Sequence, residues 1–158
     1  MPKIQHQKQK EQLMKKYLSV TVTLLILLTS ACHTIKELPQ DPKAPVKDPE
    51  YALAQKLLIH CLNNDAEKFI KVLPPKKQQE FTVKQFHDTT KNIADTFGRP
   101  ESFQFLTKQS LPIYNRYVWK ICFRKTNRQS EEFTSEILFR VTTVMQDGKP
   151  VISGFQFF

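Results

Sequence analysis

Four groups of side chains in this 158-residue chain have the types and spacing to do chemistry. The first is an acid–base set, Asp88, Asp95, His87, Tyr114 and Tyr117. Proton abstraction needs a carboxylate base and an acidic donor facing the same atom. Asp88 and Asp95 fall seven residues apart on one helix face, about 10 Å along the axis, too far to share one proton transfer. They read as a solvated helix face, and no Gly-x-Ser-x-Gly turn supplies a nucleophile in their place. The second group is His60 with Cys61. Neighbours on a helix point about 100° apart and do not chelate one ion, while His33 and His87 stand alone, so no metal and no cofactor is expected. The third is Cys61 with Cys122. A bridge needs Cα atoms within about 7 Å. Strand alternation sets Cys122 on the face opposite Trp119 while Cys61 faces the core; a bulge would reverse that. The fourth is the basic–aromatic run over residues 114–125. Single-strand nucleic-acid binders stack bases and hold phosphates on one surface. Here Arg116, Lys120 and Arg124 alternate away from Tyr117, Trp119 and Phe123, so a nucleic-acid partner is not expected. No catalytic residue is assigned, and the chain is read as a non-enzyme.

One cysteine has a more definite chemistry. Residues 18–31 are uncharged and largely apolar, follow Lys15, Lys16 and Tyr17, and end in Thr29-Ser30-Ala31-Cys32. Fourteen helical residues span about 21 Å, short of the roughly 30 Å hydrocarbon core, so the run reads as a secretory signal rather than a membrane span. Small residues directly before a cysteine make the chain resemble bacterial lipoproteins, with Thr29 where the usual leucine of the lipobox stands. The resemblance implies a diacylglyceryl group on the Cys32 thiol, cleavage before Cys32, and a lipid anchor in the cell membrane. His33, rather than Asp, follows the cysteine, which implies the outer membrane in a host with two. Met14 is an alternative start.

Composition sets the size of the folded part. Residues 1–31 carry five Lys and one Glu, leaving 19 basic and 14 acidic side chains for residues 32–158. Of the 17 aromatic residues, 16 lie beyond residue 48, enough with the aliphatics for one core of about 110 residues. That excludes intrinsic disorder and a multi-domain enzyme. Three cysteines are too few for a disulfide-dense scaffold.

The elements that must position these residues begin after a Pro-rich tether over residues 32–48. There Pro39, Pro42 and Pro45 recur every third residue and favour extended chain. Asp48-Pro49-Glu50 is a helix start. Leu53, Ala54, Leu57, Leu58, Cys61 and Leu62 then give one apolar face. Asn63-Asn64-Asp65 interrupts this helix and caps a second, ended by Pro74-Pro75. Residues 76–80 read as a solvated link. Thr82 with Gln85 is a capping box for a third helix, with Val83, Phe86, Ile93, Ala94 and Phe97 on one face and Gly98 at its end. Beyond Gly98 the period falls to two. Strands are expected around Phe103 and Phe105, over residues 117–124, over residues 137–145 and over residues 151–158, the last two joined by an Asp147-Gly148 turn. The fold class is therefore α+β, with three N-terminal helices on a curved, mainly antiparallel four-stranded sheet.

This element order, with Asn64-Asp65-Ala66-Glu67-Lys68-Phe69 opening the second helix and Phe97-Gly98 closing the third, resembles the nuclear-transport-factor-like cone superfamily over residues 49–158. A cystatin-type arrangement of helix on sheet is the nearest alternative. The resemblance implies an apolar pocket at the open end of the cone, lined by Phe97, Tyr117, Trp119 and Phe139, although core filling explains the same aromatics. It also implies a sheet face used for association, as a homodimer or with an envelope protein, between Arg116, Lys120, Arg124 and Arg140. An isomerase- or dehydratase-like activity is the least favoured reading.

Overall fold

The computed structural model describes residues 36–37, 44–45, 47–127 and 129–158, within the unit Thr34–Phe158. The leader, Cys32 and His33 lie outside the described residues. A two-residue strand β1 (Lys36–Glu37) precedes the helices α1 (Pro49–Leu62), α2 (Ala66–Val72), α3 (Pro75–Glu80) and α4 (Val83–Phe97). Strands β2 (Arg99–Ser110), β3 (Asn115–Thr126), β4 (Glu132–Gln146) and β5 (Lys149–Phe157) follow as an antiparallel meander in sequence order. The α+β class holds, with two additions among the described residues. One is β1, which pairs parallel with β2 through Lys36 opposite Ser102 and Glu37 opposite Phe103. An edge strand such as β2 offers unpaired backbone groups, and β1 takes two of those positions. The tether is thus not free at its described positions: Ala44 is buried and the Asp48 amide donates to the Pro45 carbonyl at 2.8 Å.

The other addition is α3, in place of a solvated link. Pro74 takes an extended conformation and Pro75 sits at the first helical position, so the proline pair that ends α2 also starts α3. No residue of α3 is buried; Gln78 Nε2 ties it to the Leu73 carbonyl at 2.6 Å. The remaining helix ends follow the sequence. Asp48 accepts the Glu50 amide at 2.9 Å and Asp65 accepts the Lys68 amide at 3.1 Å. Thr82 and Gln85 close a reciprocal capping box. Val83, expected on the apolar face of α4, is exposed, because the core begins one turn later at Phe86.

The core lies between α1 and the inner sheet face. Tyr51 of α1 sits at its centre, with ring centroids 5.1 Å from Phe105, 5.9 Å from Tyr117 and 5.8 Å from Trp119. Alternation carries the inner face through Phe103 and Phe105, then Tyr117, Trp119, Ile121 and Phe123, then Ile137, Phe139, Val141 and Thr143. Met145 continues that alternation but is exposed. Register shifts in β2, between Pro100 and Ser102 and between Phe105 and Thr107, and a third opposite Thr142 and Thr143, mark bulges that bend the strands. In β5 the extra residue is Ser153, whose hydroxyl donates to the Thr142 carbonyl at 3.2 Å. The bulge brings Ile152, buried completely, onto the side of Phe155 and Phe157. Cys61 and Cys122 are free thiols, one on the buried face of α1 and the other on the outer sheet face.

Candidate functional site

Helix α4 is held at both ends and only loosely between them. At its start Phe86 is buried against the Phe69 ring at 5.0 Å. Beyond its last turn Gly98 adopts φ +91°, and a Cβ there would lie 2.0 Å from the Arg124 carbonyl oxygen, so only glycine allows this approach to β3. The Lys125 ammonium donates to the carbonyls of Asp95 at 2.5 Å and Thr96 at 3.2 Å, filling the acceptors that a helix C-terminus leaves open. Between these fixings the inward stripe runs Phe86, Thr90, Ile93 and Phe97, and only Phe86 is fully buried.

A cavity opens on each flank of the helix. One, of about 320 Å³, is lined by the exposed Asn64, His87, Lys91 and Ala94 above the more buried Leu62, Pro100 and Phe123. The other, of about 530 Å³, is walled by Phe69, Phe81, Phe97 and Phe155, with Thr89, Asn92, Thr96 and Gln156 at its rim. Cys61, Thr90, Ile93 and Phe157 border both, so the two spaces meet the same strip of core beneath α4. Both volumes fall in the roughly 300–1,000 Å³ range of small-molecule sites, and both are mainly apolar with a few polar groups.

The polar groups are few and specific. Thr90 Oγ1 donates to Asn64 Oδ1 at 3.0 Å, linking α4 to the α1–α2 turn. Among the described residues no carboxylate lines either cavity, and Lys91 is the one lysine or arginine that does. Its ammonium meets the Asp95 carboxylate at 2.5 Å, a hydrogen bond that holds the lysine above its ordinary pKa. Burial pushes the Cys61 thiol up to about 12, so it is protonated near neutral pH and reacts with an alkylating agent slowly, at a rate set by access to it. Among the described residues no three His, Cys, Asp or Glu side chains gather to hold a metal ion.

A second polar cluster ties α1 to the sheet. The Asp48 carboxylate accepts Tyr117 Oη at 2.6 Å and Lys108 Nζ at 2.7 Å, besides capping α1. Glu50, nearly buried, accepts Asn115 Nδ2 at 2.8 Å and the Thr143 hydroxyl. Burial alone would raise Asp48, but hydrogen bonds from Lys108, Tyr117 and the Glu50 amide outweigh it and hold the carboxyl below its ordinary value. Burial, then the bond to Asp48, drive the Tyr117 phenol upward, so it stays a donor. This cluster borders neither cavity. It is a clamp.

Of the four aromatics expected to line a pocket, Phe97 does so. Tyr117, Trp119 and Phe139 have no exposed surface and fill the core beneath α1, which corrects their assignment to the pocket. The residues of the expected interaction face lie on β3 and β4, with Val118 opposite Arg140 and Lys120 opposite Leu138. Its cations are largely engaged. Lys120 meets Glu136 at 2.9 Å, and Arg124 meets Glu101 at 2.7 Å and Glu132 at 3.1 Å. Arg140 donates to Gln156 at 2.7 Å, and Arg116 lies over the Tyr114 ring at 4.9 Å. The acid–base candidates do not converge: Asp88 pairs with Lys84, Asp95 with Lys91, and Tyr117 with Asp48. The cavity residues Cys61, Ile93, Phe123, Phe155 and Phe157 are legible in the sequence only as core. The available signal is Thr90, a hydroxyl in the middle of the inward stripe of α4.

No protein-family description and no curated protein sequence matches the chain. Solved structures do. A SEC-C motif containing protein from Rhodopseudomonas palustris is 14% identical with a TM-score of 0.44, over 67% of this chain and 76% of that one. An NTF2-like protein of unknown function from Shewanella oneidensis is 11% identical with a TM-score of 0.40, over 71% and 98%. A candidate NTF2-like transpeptidase from Campylobacter jejuni is 12% identical with a TM-score of 0.44, over 66% and 97%.

Proposed function

We propose that this chain is an exported, lipid-anchored protein whose folded domain binds a small apolar ligand beneath α4 without catalysing a reaction. The observation that carries the binding reading is the pair of apolar cavities meeting under a helix that is packed at its ends and held between them by the Thr90–Asn64 hydrogen bond. A close-packed helix would bury its whole stripe, and α4 buries only Phe86. The anchor rests on residues 18–31 and the Thr29-Ser30-Ala31-Cys32 sequence, with the outer membrane as the destination in a two-membrane host. No described helix is long and apolar enough to cross a membrane. Two experiments test the two halves. Metabolic labelling with a palmitate analogue should mark the wild type and not Cys32→Ser; equal labelling of both refutes the anchor. Mass spectrometry of protein purified from native membranes should recover a small molecule that Ile93→Trp, which fills the space beneath α4, no longer retains. Recovery that is the same in both refutes the site. A second reading, association through the outer sheet face with a second copy or an envelope protein, is favoured by Phe158. That ring is 54% exposed at the sheet margin with the Arg140 guanidinium 5.5 Å above it.

A further inference from the structure

The two mouths beneath α4 differ in charge, and that difference selects a ligand. Helical spacing puts His87, Lys91 and Ala94 on one flank and Thr89, Asn92 and Thr96 on the other. The first mouth carries an ammonium and an imidazole; the second carries only hydroxyls and amides. Between them the walls are hydrocarbon and aromatic, and no described carboxylate faces the space. A ligand that satisfies all three regions has one anionic end and one unbranched apolar body. The body must pass under a helix about 10 Å across, entering from the side because both helix ends are fixed. We infer that the ligand is a single-chain aliphatic carboxylate, its carboxylate held at Lys91 and its chain running beneath Ile93 towards Phe155. This rests on the binding reading above and adds the chemical class.

Lys91 can serve this role because its present partner is replaceable. Asp95 and Lys91 are both well exposed, and an exposed ion pair one helical turn apart holds its members weakly. A ligand carboxylate arriving at the mouth competes with Asp95 for the same ammonium. The neighbouring Thr90–Asn64 hydrogen bond keeps the mouth polar without adding charge.

The test uses the full chain in lipid nanodiscs and the alkylation rate of Cys61, which borders both cavities, read peptide by peptide with mass spectrometry. Octanoate, octanol and octyltrimethylammonium share a chain and differ in the head group. At a concentration where octanoate slows Cys61 alkylation about tenfold, octanol and the cation should each slow it less than about threefold. Lys91→Ala should reduce octanoate to the level of octanol. Asp95→Asn should strengthen octanoate and leave octanol unchanged, an effect that a purely structural role for Lys91 would not give. Octanol protecting as well as octanoate, with no change in Lys91→Ala, overturns the carboxylate assignment and leaves the binding reading standing. Failure of all three probes to protect Cys61 overturns both.

Discussion

Replacing Asp48 by alanine should cost the domain about 3 kcal/mol, and each part of that cost traces to a named contact. The carboxylate caps α1 through the Glu50 amide, and losing an aspartate cap costs about 1 kcal/mol. It also accepts the phenol of Tyr117, a residue with no exposed surface. A hydrogen bond to a charged group contributes about 1.5–3 kcal/mol. The Lys108 pair, part-exposed on both sides, adds at most about 1 kcal/mol. These contributions share one carboxylate and do not add in full. Asp48→Asn keeps the cap and loses the charge, so it should cost less, about 1–2 kcal/mol. The pH dependence separates the two. Asp48 has its folded pKa below the ordinary value of 3.8, so its contribution is complete above that value. It fades as pH falls through the lower folded value, where the unfolded chain already binds the proton. Urea unfolding of Thr34–Phe158, followed by the fluorescence of the single, fully buried Trp119, measures this directly. Wild type and Asp48→Asn should differ at pH 7, begin to converge as pH falls below about 4, and meet only below the folded value. An Asp48→Ala protein within about 0.5 kcal/mol of wild type at pH 7 would refute the clamp.

Gly98→Ala should be the most damaging single change, at roughly 3 kcal/mol or more, because the positive φ and the Arg124 carbonyl penalise a Cβ together; a thermal midpoint unchanged from wild type would contradict it. Phe155→Ala should cost about 2–4 kcal/mol, since its ring packs edge-on against Phe69 at 5.1 Å and Phe81 at 5.7 Å. Phe158→Ala, at an exposed position, should stay within about 0.5 kcal/mol, and equal losses from the two would mean that β5 is not seated as described. Thr34–Phe158 expressed without residues 1–33 should unfold cooperatively, while a chain starting at Pro49 should be weaker, having lost β1, Ala44 and the Asp48 cap; equal midpoints would place the domain boundary at residue 49.

Local chemistry is readable from the sequence and partnership at a distance is not. Asp48-Pro49-Glu50 declares a helix start because a cap acts over two residues. The same Asp48 reaches Tyr117 across 69 positions, and nothing near either residue announces it. Pro74-Pro75 reads as a stop, yet proline suits a first helical turn as well as it ends a preceding one, and α3 uses both properties. Alternation identifies Phe155 and Phe157 but not Ile152, because the bulge at Ser153 changes the phase within β5. The cavities are the least legible feature. Their size depends on how far α4 stands from the sheet, which is set by the approach of Gly98 to the Arg124 carbonyl. A glycine after a helix signals the end of that helix, not its distance from a strand met much later in the chain.

The clamp on α1 has a kinetic consequence. Both acids at the helix start find their partners far along the chain, Asp48 in Tyr117 and Glu50 in Thr143, 69 and 93 positions away. Tyr51 likewise packs on rings that β2 and β3 supply. The four described helices leave the ribosome before these strands, and the partners of Asp48 and Glu50 and the Tyr117 and Trp119 rings arrive only with β3 and β4. Non-local closure of this kind is slow. A nascent chain with its helix face uncovered and its sheet unmade remains an open polymer until its last third appears. Under the export proposed above, that delay would keep the segment that follows residues 18–31 in a form that can be threaded across a membrane.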